Sequence, residues 1–209
     1  MARILITSGP TRQYLDPVRY LSNASSGTMG KCLATAALEL GHDVIVISGP
    51  VQVEYPEDAE VIDVISTDDM LNACLIHYRS CDGVIGAAAP CDYQPIEVAD
   101  HKIRKSGETL EIKLVETTDI MAALGVEKQP TQWSVGFALE TEDARFRALS
   151  KLQRKCCDLV VLNGASAIDS AHNSVEVIDP NGDVIVAAEG TKANVATTIL
   201  DTIQKRLIV

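Results

Sequence analysis

Two kinds of apolar run alternate along this chain. Residues 3–7, 43–48, 83–88, 134–139 and 159–162 are short, almost continuously apolar and rich in Val and Ile. Such runs predict strands covered on both faces. Between them the spacing changes. Met29, Cys32, Leu33, Ala36, Ala37 and Leu40 recur at helical intervals, opened by Ser25-Ser26-Gly27 and stopped by Gly41. Thr67-Asp68-Asp69 caps a second helix through about Cys81, and Thr118-Asp119 caps a short one. A charged helix is predicted over 142–155 and a last one over about 192–207. The alternation predicts an α/β fold with a doubly wound, mostly parallel sheet.

Two segments break the rhythm as inserted β-hairpins. Residues 102–105 and 109–115 flank Ser106-Gly107-Glu108, with polar and apolar positions alternating. Residues 175–178 and 184–188 flank Pro180-Asn181-Gly182-Asp183, whose Asn-Gly is a hairpin turn signal. With no internal repeat, low-complexity tract or linker, residues 1–209 read as a single domain.

Composition narrows the picture. Aromatics are only 4% of the 209 residues, so the core is expected from Val, Ile, Leu and Ala. Asp plus Glu is 29 against 18 Lys plus Arg, a formal net charge of −11. That balance argues against a nucleic-acid face and against docking on anionic lipid. No stretch nears the roughly 18 apolar residues of a membrane span. The apolar start at Ile4-Leu5-Ile6 is too short for a signal-peptide core, so a cytoplasmic location is expected. Cys32, Cys74, Cys81, Cys91, Cys156 and Cys157 contain no CxxC pair, and reduced core thiols are expected rather than zinc or disulfides.

Candidate chemistry gathers where strands end. Ser22-Asn23-Ala24-Ser25-Ser26-Gly27-Thr28-Met29-Gly30 joins the first strand region to the first helix. A helix start there offers free backbone N–H groups and partial positive charge, a fit for phosphate. The simpler alternative is that Ser25 or Ser26 only caps the helix. Gly86-Ala87-Ala88-Ala89-Pro90-Cys91-Asp92 falls at the end of another strand. Its small residues leave room for a ligand, with Asp92 as an acceptor; a tightly packed turn is the alternative. Lys102, Arg104 and Lys105 form one basic cluster. Lys151 and Lys155 share a helix face. Both clusters are candidate anion contacts or plain solvated surface. No GxGxxG follows the first strand and no Walker-type loop occurs, which removes the main support for an NAD(P) enzyme. The four histidines show no metal spacing, and Cys91 has no neighbouring His to activate it as a nucleophile.

The Asn23–Gly30 string resembles the phosphopantothenate–cysteine ligase family, also called phosphopantothenoylcysteine synthetase. Ser8-Gly9-Pro10-Thr11 and Asp16-Pro17-Val18-Arg19-Tyr20 before it extend the resemblance. Ala87-Ala88-Ala89, Asp92-Tyr93, Lys102-Ile103-Arg104-Lys105 and Thr118-Asp119-Ile120 continue it in order. Val135-Gly136-Phe137-Ala138, Glu140-Thr141 and the Lys151/Lys155 pair complete it over nearly the whole chain. The chain departs from the family at Pro90-Cys91, at Gly164 and in having Arg104 within the lysine motif.

The resemblance implies a Rossmann-like fold, usually dimeric. It implies joining of 4′-phosphopantothenate to L-cysteine through an acyl-cytidylate, with CTP consumed and CMP and pyrophosphate released. CTP is expected over ATP, with Mg2+ accompanying it. Asn23 and Lys102 would be catalytic, Asn23 toward the acyl group and Lys102 toward the triphosphate. Ser25, Gly27, Gly30, Gly86, Ala87, Ala88, Asp92, Thr118, Asp119, Ile120, Met121, Phe137, Lys151 and Lys155 would meet the nucleotide. Arg19, Ala89, Ala88 and Asp92 would meet the substrate, Arg19 across a dimer interface; metal ligands are not assigned. Because Met1 directly precedes the first strand, a fused flavin-dependent decarboxylase is not expected in this chain, nor FMN; that enzyme is a candidate separate partner. An NADPH-dependent oxidoreductase or a nucleotide sensor on the same fold stands as the alternative.

Overall fold

A computed structural model describes residues 1–139, 143–163 and 172–208. Its backbone is an eight-stranded sheet in the order β12-β11-β10-β9-β6-β1-β4-β5. The strands are β1 (Arg3–Ser8), β4 (Asp43–Ser48), β5 (Glu60–Asp63), β6 (Gly83–Gly86), β9 (Trp133–Leu139), β10 (Leu159–Asn163), β11 (His172–Ile178) and β12 (Val184–Thr191). From β10 to β5 every pairing is parallel, while β11 and β12 join antiparallel. The chain runs outward from β1 to β4 and β5, then returns beside β1 as β6 and proceeds to β9 and β10. The strand order reverses between β1 and β6, and a crevice opens there at the carboxyl ends.

Strand alternation divides the core. Ile4 and Ile6 face a layer with Leu33 of α1 (Thr28–Glu39) and Ile199 of α5 (Lys192–Arg206). Leu5, Ile45 and Ile47 face Met70 of α2 (Thr67–Tyr78), Leu124 of α3 (Ile120–Glu127) and Leu152 of α4 (Ala144–Arg154). Coverage on both faces explains why these strands are continuously apolar. All six cysteines are free, and Cys74, Cys81, Cys91 and Cys157 are buried. Among the described residues no helix is long and apolar enough to cross a membrane.

Several boundaries move for physical reasons. The fourth strand region ends at Gly86 rather than Ala88, because Ala88 N–H turns to the Thr7 hydroxyl at 3.2 Å. The second helix stops at Tyr78, short of Cys81. The first predicted hairpin is corrected. Residues 102–105 form no strand; instead β7 (Tyr93–Pro95) pairs antiparallel with β8 (Leu114–Glu116). Alternation alone cannot choose a partner, and the Lys-Ile-Arg-Lys stretch is tied to a loop from the first third of the chain. A further small sheet, β2 (Arg12–Tyr14) with β3 (Tyr20–Ser22), had no strong alternation to announce it. Glu140, Thr141, the predicted helix start at Glu142, and Gly164 lie outside the described residues.

Candidate active site

Helix α1 opens on the switch crevice. Gly27 is its N-cap in the left-handed region, φ 77°, where a residue without Cβ is favoured. Gly27 has no side chain to cap the helix and the first turn carries no acidic residue; only a long bond, from Thr28 N–H to Ser26 Oγ at 3.4 Å, partly serves the helix start. The first-turn N–H groups therefore keep most of their positive dipole uncompensated. Gly30 lets α1 lie against β1, since a Cβ there would collide with the Ser8 hydroxyl. That hydroxyl donates to Gly27 O at 3.2 Å and accepts from Tyr55 at 2.9 Å, which fixes the turn.

Two clefts follow. One of about 450 Å³ is lined by Gly86, Thr118, Asp119, Ile120, Met121, Phe137, Arg154 and Lys155 among others. The second, about 510 Å³, is lined by Asn23, Ser25, Gly27, Gly30, Ala87, Ala89, Phe137, Lys151, Lys155, Asn173 and Lys192 among others. Ala88, Pro90, Asp92, Phe137 and Lys155 border both, so the two make one groove across the strand ends. The groove brings together residues 23–30, the 86–92 turn, Thr118–Met121, Phe137 and Lys151/Lys155.

The Ala89–Asp92 turn is held from two sides. Asn23 Nδ2 donates to Ala89 O at 3.2 Å and Pro90 O at 2.9 Å. From below, Cys91 N–H donates to Thr11 Oγ1 at 2.8 Å, and Thr117 Oγ1 donates to Cys91 O at 2.6 Å. Burial pushes the Cys91 thiol up, against smaller lowering by its hydrogen bonds. A buried thiol whose Sγ faces the Thr11 and Leu21 carbonyls is a packing group, not a nucleophile.

Across the groove, Asp119 Oδ1 accepts from Ala122 N–H at 3.1 Å and caps α3. Its Oδ2 pairs with Lys155 Nζ at 3.1 Å and Arg154 Nη2 at 3.7 Å. The cations of α4's last turn therefore stand ready against an internal carboxylate that an incoming anion can share.

Two expected residues lie apart from the groove. Lys102 is exposed and lines neither cleft. Arg19 is bound within its own chain: its Nε donates to Asp16 Oδ2 at 2.9 Å and its Nη2 to Ile103 O at 2.6 Å. Asp16 is buried and also accepts from Val18, Arg19 and Ile103 N–H groups. Burial would raise its pKa, but these bonds together outweigh it and hold the carboxyl well below the usual carboxylate range. Sequence reasoning missed Arg154, Asn173 and Lys192. Arg154 had a signal in its adjacency to Lys155; the other two arrive through β11 and the start of α5, far along the chain.

No group of three or more His, Cys, Asp or Glu stands together as a metal cage among the described residues. The donors that do fit a hard, hydrated cation are the Asp92 carboxylate and the unpartnered Asn173 Oδ1, both on residues lining the groove.

Fold and groove define a doubly wound α/β protein with a crevice at its switch point, lined by the α1 start and the cations at the end of α4. Residues 1–207 match the family described as DNA/pantothenate metabolism flavoprotein C-terminal domain, and the chain belongs to that family. It is 46% identical over 165 residues to the coenzyme A biosynthesis bifunctional protein CoaBC of Bacillus subtilis, covering 78% of this chain and 40% of that protein. It is also 40% identical over 203 residues to a cysteine/cysteine sulfinic acid decarboxylase of an unknown prokaryotic organism, covering 95% of this chain and 56% of that protein. The chain thus spans about half the length of the curated relatives it matches. A crystal structure of the C-terminal domain of CoaBC superposes with a TM-score of 0.82 at 38% identity, covering 98% of this chain and 95% of that one. The Cab2 mutant H337A in complex with phosphopantothenate-cysteine shares the fold, with a TM-score of 0.82 at 18% identity over 98% of this chain and 85% of that one.

Proposed function

We propose that the chain, as one ligase domain, joins 4′-phosphopantothenate to L-cysteine at the expense of CTP, in the cytoplasm and as a homodimer. The observation that carries this reading is the groove itself: an uncapped helix start, Asn23 and the α4 cations share one crevice. Likeness over 98% of the chain to the C-terminal domain of CoaBC supports it, and the Cab2 mutant that shares the fold is in complex with phosphopantothenate-cysteine.

The chemistry follows from charge. A carboxylate is a poor acyl donor, so its oxygen attacks the α-phosphorus and pyrophosphate leaves. The cysteine amine then attacks the acyl carbon, loses a proton, and CMP departs with the former carboxylate oxygen. Substrate carboxylate, its phosphate and the triphosphate repel one another. The α1 dipole, Lys151 and Lys155 lower that repulsion in a groove partly screened from water. Mg2+, when bound with the triphosphate, would neutralise charge on its oxygens, with Asp92 and Asn173 the residues fitted to it. Phe137 and the Thr118–Met121 turn would hold the nucleoside end. Asn23 would meet the acyl group beside the Ala89–Pro90 turn. Arg19 and Lys102 would act on the groove of the neighbouring protomer. Exposed apolar residues support pairing: Val18 between β2 and β3, Tyr93 on β7, and Ile96, Val98 and Leu110 between β7 and β8 are each at least 49% exposed.

The test is pyrophosphate release with CTP or ATP, each with and without 4′-phosphopantothenate and cysteine. Release that needs phosphopantothenate and is faster with CTP is the expected result. Nucleotide binding without release would instead favour a sensor, and saturable NADPH binding a reductase.

A further inference from the structure

One wall of the groove is built by the antiparallel end of the sheet and the start of α5. Asn163 closes β10, Asn173 lies on β11 opposite Gly190, and Lys192 is the first residue of α5. All three line the same cleft as the α1 N-terminus. Asn173 is 4% exposed, and its Oδ1 has no hydrogen-bond partner. Its Nδ2 has one long bond, to Asn163 Oδ1 at 3.4 Å. A buried amide so poorly used costs stability unless something completes it. Lys192 is equally out of place. A cation at a helix start opposes the dipole, and α5 has no acidic residue in its first turn. Burial raises the Cys32 thiol of α1, and Lys192 and Lys31 work against that rise. Two helix starts and Lys192 thus converge on one end of the groove in a chain of net charge −11.

We propose that Lys192 and Asn173 form a diphosphate subsite, holding the β- and γ-phosphates of the bound nucleotide and the pyrophosphate that leaves. Hydrated magnesium diphosphate offers both acceptor oxygens and donor waters. It therefore satisfies Lys192 and both ends of the carboxamide at once. The position suits the leaving group: Thr118–Met121 line only the other cleft, the nucleoside end under the proposed function, on which this inference rests.

The experiment is calorimetric titration of the full chain with inorganic pyrophosphate in Mg2+, and separately with CMP. Lys192→Met is expected to weaken pyrophosphate about tenfold, the worth of a lost charged hydrogen bond. Asn173→Ala is expected to weaken it by a smaller factor. Lys205→Met, at the far exposed end of α5, keeps wild-type affinity. CMP affinity stays unchanged in all three, which also reports that the groove is folded. Pyrophosphate binding that is absent in the wild type, or equal in Lys192→Met, overturns the subsite. If Lys192 proves to govern pyrophosphate binding but the wild type forms no product, the subsite stands and the ligase reading falls.

Discussion

Asn23 holds a turn with the same amide that the proposed function would use in chemistry. Its two donated bonds clamp the carbonyls of Ala89 and Pro90, which border both clefts or the turn between them. Asn23→Asp replaces the donor with a carboxylate oxygen facing those carbonyls, so the turn and the acyl site are both disturbed. Cysteine-dependent product formation is expected to fall at least tenfold, on the order of one lost charged-state hydrogen bond, while CTP-dependent pyrophosphate release persists. Single-turnover assays that follow pyrophosphate and CMP separately check this; equal loss of both would move Asn23 to the first step. At this scale the sequence was readable where the residues are contiguous. Residues 22–30 need only one turn and one helix start to become a site. Asn173 and Lys192 were not readable, because each looks like an ordinary strand or helix-end residue until β11 and α5 bring them to the cleft at the α1 start.

The element that the sequence described least well is the arm between β7 and β8. Its predicted strand at 102–105 would have needed a neighbour, and the chain offers none. What anchors it is long-range: Ile103 N–H donates to Asp16 at 3.1 Å, and Ala99 N–H donates to Leu15 O at 3.0 Å. The five bonds to Asp16 lower its folded pKa below the unfolded value of about 3.9. The sign is therefore that of a depressed acid. The anchor is fully present above about pH 4 and is lost only as pH falls through the lower folded pKa. From neutral pH down to pH 5 the arm should show no change in protease resistance. Asp16→Asn removes the carboxylate but keeps the shape, and several-fold faster limited proteolysis within residues 100–113 is expected at pH 7. Equal rates in the two proteins would mean that Asp16 does not hold the arm. The parallel strands, by contrast, were legible because burial on both faces leaves an uninterrupted apolar record in each.

For the whole molecule the question is which groove Lys102 serves. In its own chain it is exposed and outside both clefts, and the bonds to Asp16 at the next residue resist a swing inward. The same arm carries Ile96 at 60% and Val98 at 56% exposure, surface that a second copy would cover. On the dimer reading proposed above, the arm would pack on a partner and deliver Lys102 to the partner's groove. Subunit mixing tests it. Lys102→Ala and Asn23→Asp are each expected to form little product alone. A mixed dimer would combine one groove carrying both defects with one carrying neither. Random exchange at equal amounts makes half the dimers mixed, so about a quarter of wild-type activity should return. If Lys102 instead acted within its own chain, every groove in the mixture would carry one defect and no activity would return. A double substitution of Ile96 and Val98 by Asp, on surface residues that leave the sheet core untouched, should give monomers by sedimentation and abolish the recovery. Restored activity in those monomers would show that each chain completes its own site.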